Sequence, residues 1–390
     1  MLHIHGGGEG IQPVPKLPIA RPGEKLEISH QPVEFSFWPV GKTTRRYGLQ
    51  TRIFTSDPWA VIAEGIAAKF AKKSRQNLRE AAIAFNAQAE DFYEASQASR
   101  LPYAKPLLIY YSFLNLVKAF ILMAGRAPAD YRPRHGMAEN ANLRQVEGAT
   151  VTVYRASAKK RQLFDDFHLA LTGSQLKQEK KKLRLGHLMP QILFGHRLWC
   201  TAAKEPERFI TISDIAFLRH KVNKQVWLRM RIRREELARA DVTQHDLLQR
   251  SGLKDGWQCV HVDECDDLCI EQTNARTYKD RPSDQMLSVT RGLANRFWSS
   301  VLLHPPYRKY YLYAPPPDER PSVLPQLLSM FVVMFFLGSI TRYRPHHFER
   351  LLDTQYGAHL LGATNEVPMQ FIYLLASEML NREVTKASIA

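Results

Sequence analysis

Apolar residues recur at helical spacing through the first third of the chain. Asp57 and Pro58 suit an N-cap and first helical position, and Trp59, Ile62, Ala63, Ile66 and Phe70 then fall on one face. After Ser74, a second stripe holds Leu78, Ala82, Phe85, Ala89 and Phe92, with no proline until Pro102, so the two runs predict a helical hairpin or one long bent helix. Residues 107–124 (LLIYYSFLNLVKAFILMA) are apolar on nearly every side and stop at Gly125, the pattern of a central buried helix. The character changes after about residue 137. Residues 150–154 are β-rich, and 158–184 read as a basic, helix-prone surface stretch. Residues 224–233 alternate strictly, with Val226, Leu228, Met230 and Ile232 on one face and Trp227, Arg229, Arg231 and Arg233 on the other, so they predict a strand. Further strands are expected at 257–262 and 307–313, and helices return over 322–341 and 368–380. The organisation expected is mainly α: a Pro-rich extended segment over 1–50 packed on the core, helical parts over 51–136 and 291–390, and a basic α+β insert over 137–290.

Composition narrows the classes. A chain of 390 residues that is 45% hydrophobic excludes both a small stapled scaffold and wholesale disorder. Its 54 Lys+Arg exceed 38 Asp+Glu by 16, which makes polyanions the natural partners. Four cysteines and an N-terminus without a basic or apolar signal region suit a reducing cytoplasm. The apolar run 327–340 would rise about 21 Å as a helix, short of the roughly 30 Å of a bilayer core, so no membrane partner is expected.

Several polar groups invite chemistry. Tyr111, Asn115 and Lys118 form one stripe at i, i+4 and i+7 on the greasy central helix; they are either core groups with local partners or the wall of a polar pocket. Arg342, Arg344, His346 and His347 follow the apolar helix near the C-terminus, either as cations at a helix end or as a set that holds phosphate and moves protons. The face of Trp227, Arg229, Arg231 and Arg233, with guanidinium groups about 6.7 Å apart, and the run Lys180, Lys181 and Lys182 are candidate nucleic-acid contacts, although an arginine-rich strand face is also a common solvated edge. Cys259, His261, Cys265 and Cys269 match no zinc spacing, Asp263, Glu264, Asp266 and Asp267 read as turn residues, and Gly6 to Gly8 lack the strand and helix of a phosphate loop. Signatures for nucleotide loops, dinucleotide folds, hydrolase elbows and zinc proteases are absent, so neither metal nor cofactor is expected.

The block from Tyr110 to Ala119 (YYSFLNLVKA), followed by Gly125 and His135-Gly136, together with Leu337 to Tyr343 (LGSITRY) and Pro345, resembles the YaaC-like proteins of bacteria. The tyrosine pair on an apolar helix followed by Gly and His-Gly is also similar to HEPN domains, helical bundles that include metal-independent ribonucleases of bacterial defence. That second resemblance implies an HEPN-like bundle interrupted by the insert, and maps an R-x4-H motif onto Arg342 and His347. His347 would then accept the proton of an RNA 2′-hydroxyl, Arg342 would stabilise charge at phosphorus, and Asn115 and Lys118 would line the cleft. It further implies a homodimer. The expectation is a nucleic-acid-binding protein, RNA before DNA, with endoribonuclease activity in antiphage defence. The rival is a non-catalytic sensor or scaffold that engages a partner protein or nucleic acid through the basic insert.

Overall fold

The central helix forms over Lys105–Met123 in the computed structural model, which describes residues 17–40, 52–99, 103–141, 146–263, 265–317 and 323–386. Pro106 occupies its first turn, where a missing N–H leaves no bond unmade. At the other end the Gly125 amide donates to the Leu122 carbonyl at 2.9 Å and the Arg126 amide to that of Ile121 at 3.1 Å, the double closure that satisfies a helix's last carbonyls. Helices Gln76–Ala98, Gln326–Tyr343 and Gly357–Leu380 pack around it, and Pro58–Lys69 packs on the first and last of these. The Asp57 carboxylate caps Pro58–Lys69, accepting from the Ala60 amide at 3.0 Å. Phe113 stacks on Phe371 at 3.7 Å in the middle of this core. Helices Lys105–Met123 and Gln326–Tyr343 are long and apolar enough to cross a bilayer, but 78% of each apolar window is buried inside the protein.

The expected mainly helical, HEPN-like bundle is overturned. Of the described residues 46% are helical and 21% lie in strands arranged in several small sheets, so the fold is mixed α+β. The helical core itself contains strand residues: Val151, Val153 and Leu183 belong to the same apolar cluster as Phe113 and Phe331. They come from a three-stranded antiparallel sheet, Met137–Asn140, Thr150–Tyr154 and Lys180–Arg184, laid against the helices. The stretch 158–184 is likewise not one helix-prone surface. Helix Leu163–Thr172 ends at Gly173, and the lysine run continues as an edge strand because Thr150–Tyr154 supplies its ladder.

A second apolar cluster draws on Leu26, Phe35 and Phe37 together with residues between Ile210 and Ala314. Its main sheet runs in the order Glu24–Lys25, Asp214–His220, Gln225–Ile232, Leu268–Gln272, Trp257–Val260, with Arg276–Thr277 added beside Gln225–Ile232. A further sheet joins Trp298–Val301, Arg308–Tyr313 and Phe209–Ile212. The two cores are tied at the C-terminus, where Glu383–Thr385 pairs in parallel with Arg52–Phe54. There the buried Glu383 accepts from Tyr310 Oη at 2.5 Å and Arg52 Nε at 3.1 Å. Gly6 to Gly8, Pro13, Pro15, Glu264 and Ser322, on which parts of the sequence reading rest, lie outside the described residues.

Candidate functional site

Helix Gln326–Tyr343 crosses the central helix so closely that a Cβ on Gly338 would meet Tyr110 Cβ at 3.0 Å and the Pro106 carbonyl oxygen at 3.2 Å. This close approach brings the last turn of one helix, with Ser339 and Arg342, beside the tyrosine pair of the other. The third wall comes from the chain after the central helix. Gly136 takes φ +74°, and a Cβ there would lie 3.1 Å from the Phe164 amide nitrogen, so glycine lets His135 and Met137–Asn140 turn back across the two helix ends.

The result is a cavity of about 290 Å³. Leu107, Met137 and Phe335 give it apolar walls, while His135, Glu139, Ser339 and Arg342 supply polar groups. Each tyrosine of the pair anchors one functional group. The buried Tyr110 hydroxyl is 2.6 Å from His135 Nδ1, and Tyr111 Oη accepts from Arg342 at 2.7 Å. Tyr111 is backed by Phe92, stacked at 5.3 Å. His135 Nε2 makes no hydrogen bond among the described residues, and the imidazole reaches solvent. Burial of the ring, then the charges of Lys118 and Arg342, lower its pKa below the ordinary 6.5, so the ring is neutral at pH 7 and can accept a proton. Glu139 is neutralised by an ion pair with Arg344 and accepts from Ser339 Oγ at 3.4 Å, which leaves Arg342 as the exposed cation at the cavity mouth.

The sequence candidates separate in space. Arg342 lines the cavity; His347 does not. The Gln326–Tyr343 helix stops because Arg344 leaves helical geometry at φ −147°, ψ 60°, and Pro345 starts a new helix, Pro345–Leu352, that carries His347 away with its ring against His346 at 4.2 Å. Burial, then the charges of His346, Arg344 and Arg350, lower the His347 pKa, and its Nδ1 has no partner among the described residues. Asn115 and Lys118 lie deeper along the central helix, outside the cavity lining. Lys118 Nζ donates to Asn115 Oδ1 at 3.4 Å and sits 4.9 Å from the Phe85 ring centre, and burial lowers its pKa. Lys118 still acts electrostatically on His135.

Trp227 is fully buried, with Arg21 over its ring at 5.0 Å and Gly23 in close contact. Arg229 pairs with the buried Glu271 at 2.9 Å, and Arg231 with Asp214 at 2.8 Å. Trp227 and Arg229, which also donates to the Arg21 carbonyl at 2.6 Å, hold the segment around Arg21–Gly23 on the main sheet, while Arg231 ties neighbouring strands together. Arg233 is exposed and lines an open groove of about 800 Å³, where Lys25, Arg52 and Glu236 are engaged with Asp214, Glu34 and Arg239. Lys180 and Lys182 are exposed, whereas Lys181 is half-buried and its pKa is lowered by burial. Cys265 and Cys269 bring their sulfurs within 3.7 Å, but Cys259 donates to the Gln244 carbonyl and His261 pairs with Asp263. Among the described residues no three His, Cys, Asp or Glu side chains converge as metal ligands.

His135 lines the cavity although residue spacing does not single it out; in the sequence it stands out only as part of a family pattern. Its signal was present: a histidine before a glycine, ten residues beyond the glycine that ends the central helix. A model of YaaC-like proteins matches residues 45–379. The chain belongs to the YaaC-like family. All of the YaaC-like cavity, from Leu107 to Tyr343, lies inside that match, as do both apolar cores except for residues preceding 45 and following 379. No curated protein matches the chain.

Proposed function

We propose that this YaaC-like protein binds RNA at the cavity and cleaves it by proton transfer. The observation that carries the reading is the convergence of one exposed guanidinium, Arg342, and one neutral imidazole, His135, on a single cavity, each held by an adjacent tyrosine of a rigid buried helix. A phosphate at the mouth meets Arg342, whose planar fork suits two phosphate oxygens. His135 Nε2 accepts the proton of the neighbouring 2′-hydroxyl, the 2′-oxygen attacks phosphorus, and the 5′-oxygen leaves with a proton from water. The products are a 2′,3′-cyclic phosphate and a 5′-hydroxyl. The formal charge of +16 supplies long-range attraction for the polyanion.

Binding without cleavage is the second reading. It is favoured by the presence of one imidazole in the cavity lining, because His347, a second proton carrier, stands on another helix. Titration of the purified protein with a labelled single-stranded RNA separates the site from the rest of the basic surface. Arg342→Ala should weaken binding at least tenfold and His135→Ala much less, since the imidazole serves the proton and not the phosphate. Equal affinity in wild type and Arg342→Ala would remove the cavity from RNA recognition.

A further inference from the structure

The three-stranded sheet that walls the cavity has two chemically different faces. The register pairs Val151 with Glu139 and Leu183, and Val153 with Met137 and Lys181, so these residues share the inner face that meets the helices and the cavity. The alternate positions share the outer face, where Thr152 stands between Ala138 and Lys182, and Tyr154 stands beside Lys180. Lys180 and Lys182 are exposed, two residues and about 6.7 Å apart, close to the separation of successive phosphates along an extended strand.

The surroundings of this face are basic for a structural reason. Its nearest aspartates are turned inward. Asp165 is fully buried and accepts from the amides of Ala156 at 2.8 Å and Leu176 at 2.7 Å. Asp166, also buried, accepts from Tyr131 Oη at 2.6 Å and pairs with Arg161 at 2.9 Å. Lys159, Lys160, Lys177, Lys180 and Lys182 remain exposed, with Glu179 as the exposed carboxylate among them. The fold thus uses its acids to build the turns and leaves the lysines outside.

We propose that this outer face is the surface on which a single strand of RNA lies as it enters the cavity. The inference rests on the RNA reading above and adds the route. Charge complementarity selects a polyanion, and the hydroxyls of Thr150 and Thr152 offer hydrogen bonds to sugar and phosphate. Tyr154 beside Lys180 offers an aromatic surface of the kind that holds unpaired bases. Strand Met137–Asn140 is common to both features, since Met137, Ala138 and Glu139 line the cavity. The lysine strand is two strand spacings, about 10 Å, from Met137–Asn140, and RNA on the outer face rounds that edge strand to reach the cavity.

The test compares Lys180→Glu/Lys182→Glu with Arg342→Ala, using a labelled single-stranded RNA and vesicles of phosphatidylserine over a range of potassium chloride. The double lysine variant should lose at least tenfold in RNA affinity at low salt. With two phosphate contacts removed, the slope of log affinity against log salt should fall by about 1.4. Its melting temperature should equal that of wild type, because both side chains are exposed; if it does not, Lys180→Gln/Lys182→Gln is read for the same fall in slope. Unchanged affinity and slope in the lysine variant, beside weaker binding by Arg342→Ala, would overturn the surface and leave the cavity reading standing. Absence of RNA binding by wild type would overturn both, and binding to vesicles but not to RNA would reassign the face to a membrane.

Discussion

A histidine beside two cations behaves differently from a free one. Lys118 and Arg342 both oppose protonation of His135, and burial of the ring opposes it more. Its titration followed by NMR should therefore fall below pH 6.5, and Lys118→Met should move it upward, because removing a positive neighbour makes the imidazolium easier to form. A midpoint unchanged by Lys118→Met would remove the lysine from the site. The hydrogen bond between Tyr110 Oη and His135 Nδ1 is a separate matter, since it orients the ring without adding charge. At this scale the sequence was informative about residue types. It marked Arg342, Tyr111 and Lys118, of which the first two line the cavity and the third lies outside its lining, because polar groups on apolar helices require partners. It could not rank His135 against His347, because the break at Arg344 and the left-handed turn at Gly136 decide which imidazole shares the cavity with Arg342.

Between elements, the site depends on how tightly two helices cross. Gly338→Ala would place a methyl group against Tyr110 Cβ and the Pro106 carbonyl oxygen of the central helix, atoms that cannot rotate away. Overpacking of this kind costs about 1–3 kcal/mol, against about 1 kcal/mol regained from helix propensity. Thermal melting should show a net loss on the order of 1 kcal/mol, and RNA binding should weaken as Arg342 moves off Tyr111. Wild-type stability and binding would show that the crossing has slack. Glu378, on helix Gly357–Leu380, makes a different prediction. Burial pushes its carboxyl up to about 7 from an ordinary 4.5, so the folded state holds this proton more tightly than the unfolded chain does. The native state is then penalised as pH rises from about 4.5 through 7, and Glu378→Gln should raise the melting temperature at pH 8 but much less at pH 5. An equal effect at both pH values would contradict the buried carboxylate. Helix existence was legible from periodicity, and Lys105–Met123 matches the expected 107–124 closely. The start of the last helix was not: proline at 368 reads as a first-turn residue, yet Pro368 lies within a helix that begins at Gly357.

On the scale of the whole molecule, the two cores meet at a buried polar junction. Arg308 donates to Ser377 Oγ and to the Val384 carbonyl, each at 2.8 Å, while Glu383 binds Tyr310 and Arg52. Glu383→Ala would leave the buried Tyr310 hydroxyl without its acceptor and Arg52 with Glu34 alone, a loss of about 1–3 kcal/mol. Denaturant unfolding should show that loss; a change under 1 kcal/mol would mean that the cores are joined elsewhere. The mixed α+β character was the part of the fold least legible in sequence. Short strands such as Met137–Asn140 carry little local signal and exist because Thr150–Tyr154 and Lys180–Arg184, distant in sequence, complete their ladder. Charge alternation on Gln225–Ile232 was legible, but not that Arg229 and Arg231 would be consumed by Glu271 and Asp214, since each acid belongs to another strand.

Action on RNA at the cavity is the central claim. Purified protein incubated with single-stranded RNA in EDTA, beside His135→Ala, Arg342→Ala and His347→Ala, tests that most directly. Wild type and His347→Ala should yield fragments ending in 2′,3′-cyclic phosphate, with cleavage reduced at least a hundredfold in the other two. Cleavage that survives in His135→Ala and disappears in His347→Ala would contradict that claim.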